Sequence, residues 1–259
     1  MPPYDITNAL LSLPAISLVA PFDDLFDAER GIYYNSIQTG SEWEREASIE
    51  LIFPDGSPGF QYEAGLRMHG YSSRYHWFTS KHSFHLNFRS RYGPSRLHFP
   101  LFPDATVQDF DQIVLRGCST DSFPAKDIHV ARWDSRRATY IRDQWMRDAM
   151  ADLGHPSSHG RYVHLWLNGL YWGLYNIAEL PGKGWAAEYF GGDEDEYDVI
   201  KDFFLVDDGD ARAWNELEAL VAAASPPRRS IRESKVIIPT ARAIRITLST
   251  SSWRLTWTT

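Results

Sequence analysis

A loop of glycine, serine and arginine residues precedes a strand that begins with a lysine. The loop covers residues 70–74 and ends at Arg74, and the lysine is Lys81. Backbone N–H groups at a turn and fixed cationic side chains are the groups that bind phosphate in proteins. The loop and Lys81 are therefore candidates for an anion-binding site. A charged run is also typical of a solvated strand edge, so the spacing alone leaves both interpretations open.

Other residues that could bind a metal or act as a nucleophile form no complete pattern. His82 and His85 are three residues apart on a predicted strand, so they fall on opposite faces, and we expect His82 in the core. His155 and His159 lie in a loop of Gly, Pro and Ser, and the sequence suggests no third ligand nearby. Cys118 has no obvious base partner and is predicted to be a small core residue.

The acidic run of residues 193–196 could attract a divalent cation. It lacks the alternating ligands and the central glycine of a calcium loop, so we interpret it as an exposed acidic turn. The sequence also contains no Walker loop, no G-x-S-x-G elbow and no H-E-x-x-H pair. No metal site is predicted.

Alternating sequence around the loop predicts antiparallel strands. Residues 47–53 and 60–68 flank a turn of Pro, Asp, Gly and Ser, which predicts a hairpin. In residues 81–89 apolar and polar side chains alternate, which predicts a half-buried strand with Lys81 leading its polar face. Residues 112–116 form a further short strand.

A helix and a second hairpin follow. Residues 139–153 carry apolar side chains at helical spacing, with Thr139 as the cap. Residues 161–179 predict a hairpin with a two-residue type I′ turn at Asn168-Gly169. The pairs that this turn implies are Leu167 with Leu170, Leu165 with Trp172 and Val163 with Leu174 on one face, and Trp166 with Tyr171 and Tyr162 with Tyr175 on the other.

Three short elements and a basic segment complete the chain. We predict a helix over 185–190, a strand over 198–200 and a helix over 210–224. Residues 226–259 have a net charge of +6 with one acid, which leaves −14 on the rest. We interpret residues 1–225 as one incomplete domain and 226–259 as an aberrant or disordered basic tail, because the tail has no sustained hydrophobic period.

Composition limits the class of protein. With 43% hydrophobic and 14% aromatic residues, the 259-residue chain can bury a large core. Its acidic body disfavours nucleic acid, whose binding needs a basic surface. The first apolar run is interrupted by Pro14 and Pro21 and has no basic residues before it, so we expect neither membrane insertion nor a signal peptide in this chain.

Six motifs occur in an order that is more specific than any one of them. They are GLRMHGYSSR, SKHSFHLNFRSRYG, FDQIVLR, TYIRDQWMRDAMADLG, YVHLWLNGLYWGLYNIAE and EYFGGDEDEYDVIKD. This order resembles the spore coat protein H (CotH) kinase family. The resemblance covers roughly residues 13–222, which is the N-terminal part of the family's domain.

The resemblance implies an α+β, atypical protein-kinase-like fold, with a β-rich small lobe and an incomplete helical large lobe. It implies ATP and magnesium as cofactors, Ser or Thr of a surface or coat protein as the substrate, and a location outside the cell or at its surface. By resemblance Lys81 pairs with nucleotide phosphates and Arg74 closes the loop above them. Arg142 and Glu179 match positions usually kept in the family, and we infer that they contact phosphate, lysine or metal. We expect Lys81, Arg74 and Glu179 to share one concave site.

One part of the family pattern is missing. The family's catalytic and metal-binding aspartates stand in an Asp-Trp-x-x-Asn-Asn-like segment and a later Trp-Asp-x-Glu segment, and neither occurs after Val221. Phosphate transfer depends on such carboxylates, so we expect the chain as written to be inactive. The alternative is a surface adhesion or carbohydrate-contact module, in which Trp166, Tyr171 and Tyr175 line a sugar-stacking face.

Overall fold

The computed structural model describes residues 5–123, 135–201, 205–224, 235–236, 244–249 and 252–257. The chain divides into two compact units, Met1–Tyr189 and Phe190–Thr259. The boundary between the units falls well before residue 225, where the composition of the sequence changes.

Strands dominate the first unit. In chain order they are β1 (Ala15–Val19), β2 (Arg45–Ile52), β3 (Phe60–His69), β4 (Ser83–Asn87), β5 (Leu97–His98), β6 (Asp109–Phe110), β7 (Gln112–Arg116), β8 (Gly160–Leu167) and β9 (Leu170–Glu179). Seven of them close into a barrel in the order β1-β2-β3-β4-β7-β9-β8, and β5 pairs with β6 separately. The β1–β8 pair is parallel and the other barrel pairs are antiparallel. The fold is thus α+β with a mainly antiparallel sheet.

The helices of the first unit are short. They are α1 (Ile6–Leu10), α2 (Phe22–Phe26), α3 (Arg142–Asp152) and α4 (Lys183–Phe190), which ends at the unit boundary. None of the helices in the described part of the chain is both long and apolar enough to span a membrane.

Alternating apolar side chains fill the barrel, as expected for strands with one buried face. Ile16 of β1, Ile49 of β2, Leu66 of β3 and Leu165 of β8 are all fully buried in one cluster. The hairpin predicted over residues 47–53 and 60–68 is confirmed as β2 and β3. β1 was missed in the sequence, because a five-residue apolar run between two prolines carries no alternation to identify it.

The lysine-led strand is buried on both faces, not on one. Phe84 and Leu86 point into the core, as the alternation predicts. Ser83 and Asn87 on the other face are only 7% and 5% exposed. Ser83 Oγ accepts the N–H of Gly117 at 2.9 Å, and Asn87 donates to the buried Glu44 carboxylate at 3.0 Å. The interpretation of this strand as a solvated edge is therefore wrong.

The predicted turn between β8 and β9 is confirmed. Asn168 and Gly169 have φ angles of 48° and 78°, and Leu167 pairs with Leu170. Asn168 also donates to and accepts from the backbone of Ala20, at 2.9 and 3.0 Å, which ties the turn to the end of β1.

The register further from the turn differs from the prediction by one residue. A β-bulge between Leu165 and Trp166 makes Leu165 pair with Gly173, so Val163 pairs with Tyr175 instead of Leu174. Tyr175 consequently lies inside the barrel with 0% exposure. Its predicted pairing with Tyr162 is wrong, because the sequence pattern gives no sign of the bulge.

Helix α3 packs in the opposite sense to an ordinary amphipathic helix. Its polar side contacts the barrel: Gln144 accepts from Asn176 at 3.0 Å, and Arg147 donates to Asn176 at 2.6 Å. Trp145, in contrast, is 64% exposed. The other apolar residues whose spacing predicted the helix are also exposed, namely Ile141, Met146, Met150 and Leu153. The spacing therefore located the helix but not its buried face.

The second unit contains β10 (Val199–Lys201), β11 (Leu205–Asp208) and helix α5 (Arg212–Ala224). β10 and α5 are close to the predicted strand and helix, whereas β11 was not predicted. Three further strands form an antiparallel sheet: β12 (Lys235–Val236), β13 (Ile244–Ser249) and β14 (Ser252–Trp257). No element was predicted there. Residues 225–234 and 237–243 lie outside the described residues, and the aberrant tail stays a prediction. The acidic run of residues 193–196 is exposed, as predicted.

The turn glycine provides a test of the backbone geometry. Replacing Gly169 with alanine places a Cβ in the left-handed region, which we expect to cost about 1 kcal/mol of unfolding free energy. Gly93 is the matched control, because a Cβ there meets only ordinary contacts, at 3.7 and 3.8 Å. Urea denaturation should show a lower midpoint for Gly169→Ala than for Gly93→Ala. Equal midpoints would contradict the type I′ turn.

Candidate functional site

A polar cavity of about 170 Å³ lies at the ends of β3 and β7 and at the start of β4. The 70–74 loop contributes two of its residues, Gly70 and Ser73. The other lining residues are His69, Ser83, Arg116, Cys118, Ser119, Thr120, Asp121, Tyr140 and Asp143. Hydroxyl groups and charged side chains therefore predominate on its wall.

Lys81 stands beside this cavity and is 7% exposed. Its Nζ donates a hydrogen bond to the carbonyl of Leu174. The same ammonium lies 4.9 Å from the ring centre of Tyr140, a cavity residue, and 4.6 Å from that of Tyr175. Burial lowers the pKa of Lys81 to about 8. The result is a buried amine whose position is fixed by two aromatic rings and one carbonyl.

The bulge in β9 makes room for this lysine. Gly173 has a φ of 124°, which a residue with a side chain rarely adopts. A Cβ at this position would lie 3.6 Å from Lys81 Cε, so further side-chain atoms would compete for the space. Tyr175, two residues on, donates its hydroxyl hydrogen to the carbonyl of His82 at 2.8 Å. Gly173 therefore leaves space for the Lys81 side chain, and Tyr175 holds the backbone at His82, the residue that follows Lys81.

Asp121 links the cavity to the beginning of α3. Its buried carboxylate accepts the backbone N–H of Thr139 at 2.8 Å and that of Arg142 at 3.2 Å. The Arg142 guanidinium also donates to Asp121, at 2.8 Å. The predicted cap residue Thr139 is therefore a donor to Asp121, and Asp121 supplies the capping carboxylate. Sequence reasoning missed this residue because the helix and its cap are far apart in the chain.

A second carboxylate on the cavity wall is also paired. Asp143 accepts from Arg116 at 3.0 Å and lies 3.3 Å from Arg147. Asp121 and Asp143 are oxygen ligands of the type that Mg²⁺ prefers. Within the described residues, however, no group of three or more His, Cys, Asp or Glu side chains could hold a metal ion.

Glu179 lies elsewhere, at the far end of β9. It is 3% exposed, and its carboxylate accepts from His159 N and Nδ1, Trp185 Nε1 and Tyr189 OH at 2.7, 3.0, 3.2 and 2.6 Å. The carbonyl that accepts the hydrogen bond from Lys81 belongs to Leu174. Leu174 precedes Glu179 by five residues on β9, which separates the two residues by roughly 15 Å. The expectation that Glu179 shares a site with Lys81 does not hold, because its oxygens bind the loop before β8 and helix α4.

Arg74 ends a short 3₁₀ turn, Ser72–Arg74, beside the cavity. Its Nη1 donates to the carbonyl of Gln38 at 3.4 Å, and its own carbonyl accepts from Ser36 Oγ. Its neighbour Ser73 lines the cavity, whereas Arg74 does not. The structure therefore brings Lys81 and Arg142 to the cavity region, through Tyr140 and Asp121, and directs Arg74 toward residues 36–38.

The pair of His159 and Glu179 predicts a pH dependence of stability. The hydrogen bond that His159 Nδ1 donates to the Glu179 carboxylate raises the pKa of His159 above its usual value of 6.5. A raised pKa in the folded state means stabilisation that is fully present below about pH 6.5 and is lost as pH rises through the folded-state pKa. The free energy of unfolding, measured by urea denaturation, should therefore be higher for wild type than for His159→Gln, and this difference should be larger at pH 5.5 than at pH 8.5. A constant difference would contradict the charged pair.

These features define a mixed α/β protein with a buried amine next to a polar cavity. The CotH kinase protein family matches residues 66–209, more than half of the chain. The chain belongs to this family. The matched segment contains Lys81, Arg74, Arg142 and Glu179. A search among curated proteins found no match.

The aromatic face of the alternative hypothesis is not formed. Tyr175 is inside the barrel, as described above, and cannot contact a ligand at the surface. Trp166 and Tyr171 do contact each other, with ring centres 5.3 Å apart. Two rings packed edge to face, without the third, do not make the predicted stacking face.

Proposed function

We propose that the cavity beside Lys81 binds the phosphate groups of a nucleotide. On this proposal the chain carries the nucleotide-binding part of an atypical, kinase-like phosphotransferase that uses ATP and magnesium. Its substrates are Ser or Thr residues of a surface or coat protein, at the cell surface or outside the cell. Membership of the CotH kinase family supports the reaction class. The observation that carries the proposal for this cavity is the burial of Lys81.

A buried ammonium without a counter-ion is costly, since it loses its hydration. Lys81 makes no ion pair with a carboxylate among the described residues, and its contacts are a carbonyl and two aromatic rings. These contacts orient the amine but do not neutralise it. A phosphate oxygen would neutralise it, which gives the cavity a preference for anions.

The hydroxyl groups of the wall complement the lysine. Ser83 uses its oxygen to accept from Gly117, which leaves its hydroxyl hydrogen as a donor. Ser73 and Thr120 also line the cavity. Donors of this kind bind phosphate oxygens without adding charge.

Magnesium fits this site only together with a nucleotide. The ion is commonly held by one or two carboxylates and by substrate phosphates, and it neutralises phosphate charge when bound. Asp121 and Asp143 are the residues that would hold it. Both carboxylates are paired with arginines, Arg142 and Arg116, so binding would require sharing or exchange of these partners.

The test is calorimetric titration with a non-hydrolysable ATP analogue and Mg²⁺. Because the aspartate segments implied by the resemblance are not found after Val221, binding is measured and not phosphate transfer. Lys81→Met should weaken binding about 10- to 100-fold, the effect of one charge-assisted hydrogen bond. Lys201→Met is the control, because Lys201 pairs with Asp207 in the second unit. Equal affinities of wild type and Lys81→Met, or no binding by wild type, would overturn the proposal.

A further inference from the structure

Two histidines connect the 70–74 loop to the barrel and to the segment after α2. His82 Nδ1 lies 2.8 Å from the carbonyl oxygen of Ser73, the loop residue that lines the cavity. His82 Nε2 lies 3.1 Å from His76 Nδ1. At the other end, His76 Nε2 lies 3.2 Å from the carbonyl oxygen of Tyr34 and 3.3 Å from Ser36 Oγ. The contacts form one continuous chain.

The protein atoms at both ends of this series of contacts, the carbonyl oxygens of Ser73 and Tyr34, are hydrogen-bond acceptors. A backbone carbonyl has no hydrogen to donate, so Nδ1 of His82 and Nε2 of His76 must each carry one. Ser36 gives the same result, because its hydroxyl hydrogen is already donated to the carbonyl of Arg74. Its oxygen can therefore only accept from His76.

The central contact, between His82 and His76, then lacks a hydrogen. A neutral imidazole carries a single N–H, and in each histidine that hydrogen is committed to the outer contact. His82 Nε2 and His76 Nδ1 would face each other with lone pairs at 3.1 Å. Three contacts need three hydrogens, and two neutral rings supply two. One extra proton on the pair supplies the third.

We propose that His76 and His82 act as a proton-dependent clasp, which holds the 70–74 loop against the barrel when the pair carries one extra proton. When the pair is neutral, the contact between the two rings is lost, so the loop and His82 are no longer tied to His76 and the segment after α2, and the loop is held less firmly. Because the loop supplies Gly70 and Ser73 to the cavity, protonation regulates the cavity's shape. The consequence for nucleotide binding rests on the proposed function, whereas the clasp itself does not.

The surroundings of His82 oppose a positive charge on its ring. His82 is fully buried, and burial together with the neighbouring His76 lowers its pKa, while the hydrogen bond to Ser73 opposes this. Lys81 precedes His82 in the chain, and Arg74 follows Ser73, whose carbonyl His82 contacts. A cation near an imidazole disfavours its protonated form. The phenol ring of Tyr33 contacts His82, with ring centres 5.0 Å apart, and the hydroxyl of Tyr175 is bound to the His82 carbonyl.

Amide hydrogen exchange of the loop tests the clasp directly. For wild type, protection of residues 71–77, corrected for intrinsic exchange, should increase about fivefold between pH 8 and pH 5.5, the effect of one hydrogen bond. In His76→Gln this increase should disappear, because glutamine does not titrate. His76 is exposed at the surface, so the variant should fold. His98→Gln is the control, since His98 is exposed and pairs with Asp109.

Two further outcomes separate the clasp from the proposed function. If the ATP analogue binds more tightly at pH 5.5 than at pH 8 in wild type but not in His76→Gln, both proposals are supported. If the analogue does not bind but loop protection still depends on pH and on His76, the clasp stands and the proposed function fails. Protection that is independent of pH, or the same in His76→Gln, would overturn the clasp.

Discussion

Replacing Lys81 with methionine should stabilise the protein at neutral pH by roughly 1–3 kcal/mol, even though it should weaken nucleotide binding. The lysine is buried beside two aromatic rings without a counter-ion among the described residues, which lowers its pKa to about 8. Methionine occupies a similar volume and has no charge to desolvate. A residue kept for binding at the expense of stability is the expected pattern at a functional site.

The sign of this effect fixes its pH dependence. A lysine whose pKa is lowered on folding from 10.5 to about 8 binds its proton more tightly in the unfolded chain. The cost to the folded state is therefore complete below about pH 8 and disappears as pH rises to about 10.5. Urea denaturation of wild type and Lys81→Met should show a difference that is largest at pH 7 and small at pH 10.5. Lys201→Met should show little difference at either pH. A destabilised Lys81→Met at pH 7 would contradict the prediction.

Replacing Glu179 with glutamine should cost about 3 kcal/mol of unfolding free energy. The carboxylate accepts hydrogen bonds from His159, Trp185 and Tyr189 in a buried position. The amide nitrogen of glutamine cannot accept, so at least one buried donor would lose its partner.

The matched control is Glu188→Gln on helix α4. Glu188 pairs with Arg96 in a partly exposed position, so its loss should cost at most about 1 kcal/mol. Urea denaturation midpoints of the two variants provide the comparison. If Glu179→Gln unfolds at the same midpoint as Glu188→Gln, then Glu179 does not hold α4 to the barrel.

Local patterns in the sequence predicted local structure. The strand within residues 81–89 and the turn at Asn168-Gly169 both depend on near neighbours in the chain, and both are confirmed, although the strand is not half-buried as predicted. The family was also identified from the order of its motifs and is confirmed by the match over residues 66–209.

Features that depend on distant partners were not predicted. The polar face of β4 is buried because Glu44 and Gly117, which are remote in sequence, satisfy it. Helix α3 turns its polar side to the barrel because Asn176 of β9 offers hydrogen bonds to it. The spacing of apolar residues indicates the type of secondary structure. It does not indicate which other element the helix or strand packs against.

The candidate site also depends on contacts between distant residues that were not predicted from the sequence. Lys81 was identified from its position at the start of a strand, and it does lie beside a cavity. Asp121 was missed, and Glu179 was assigned to a site that its carboxylate does not reach. The one-residue bulge in β9 and the hydrogen bonds between His159 and Glu179 determine where these side chains lie. Neither feature can be recognised in the sequence.

The closure of the barrel has a consequence for where this protein can be divided. Ala15 at the start of β1 pairs with His164 of β8, so the ring is completed only when the first and the second-to-last of its strands in chain order meet. The family match begins at residue 66, inside β3, and excludes β1 and β2. A fragment cut there would leave two unpaired strand edges, which recruit other chains and favour aggregation. The stretch recognised by similarity is therefore smaller than the closed barrel, which cannot be completed until β9, the last of its strands, has been synthesised.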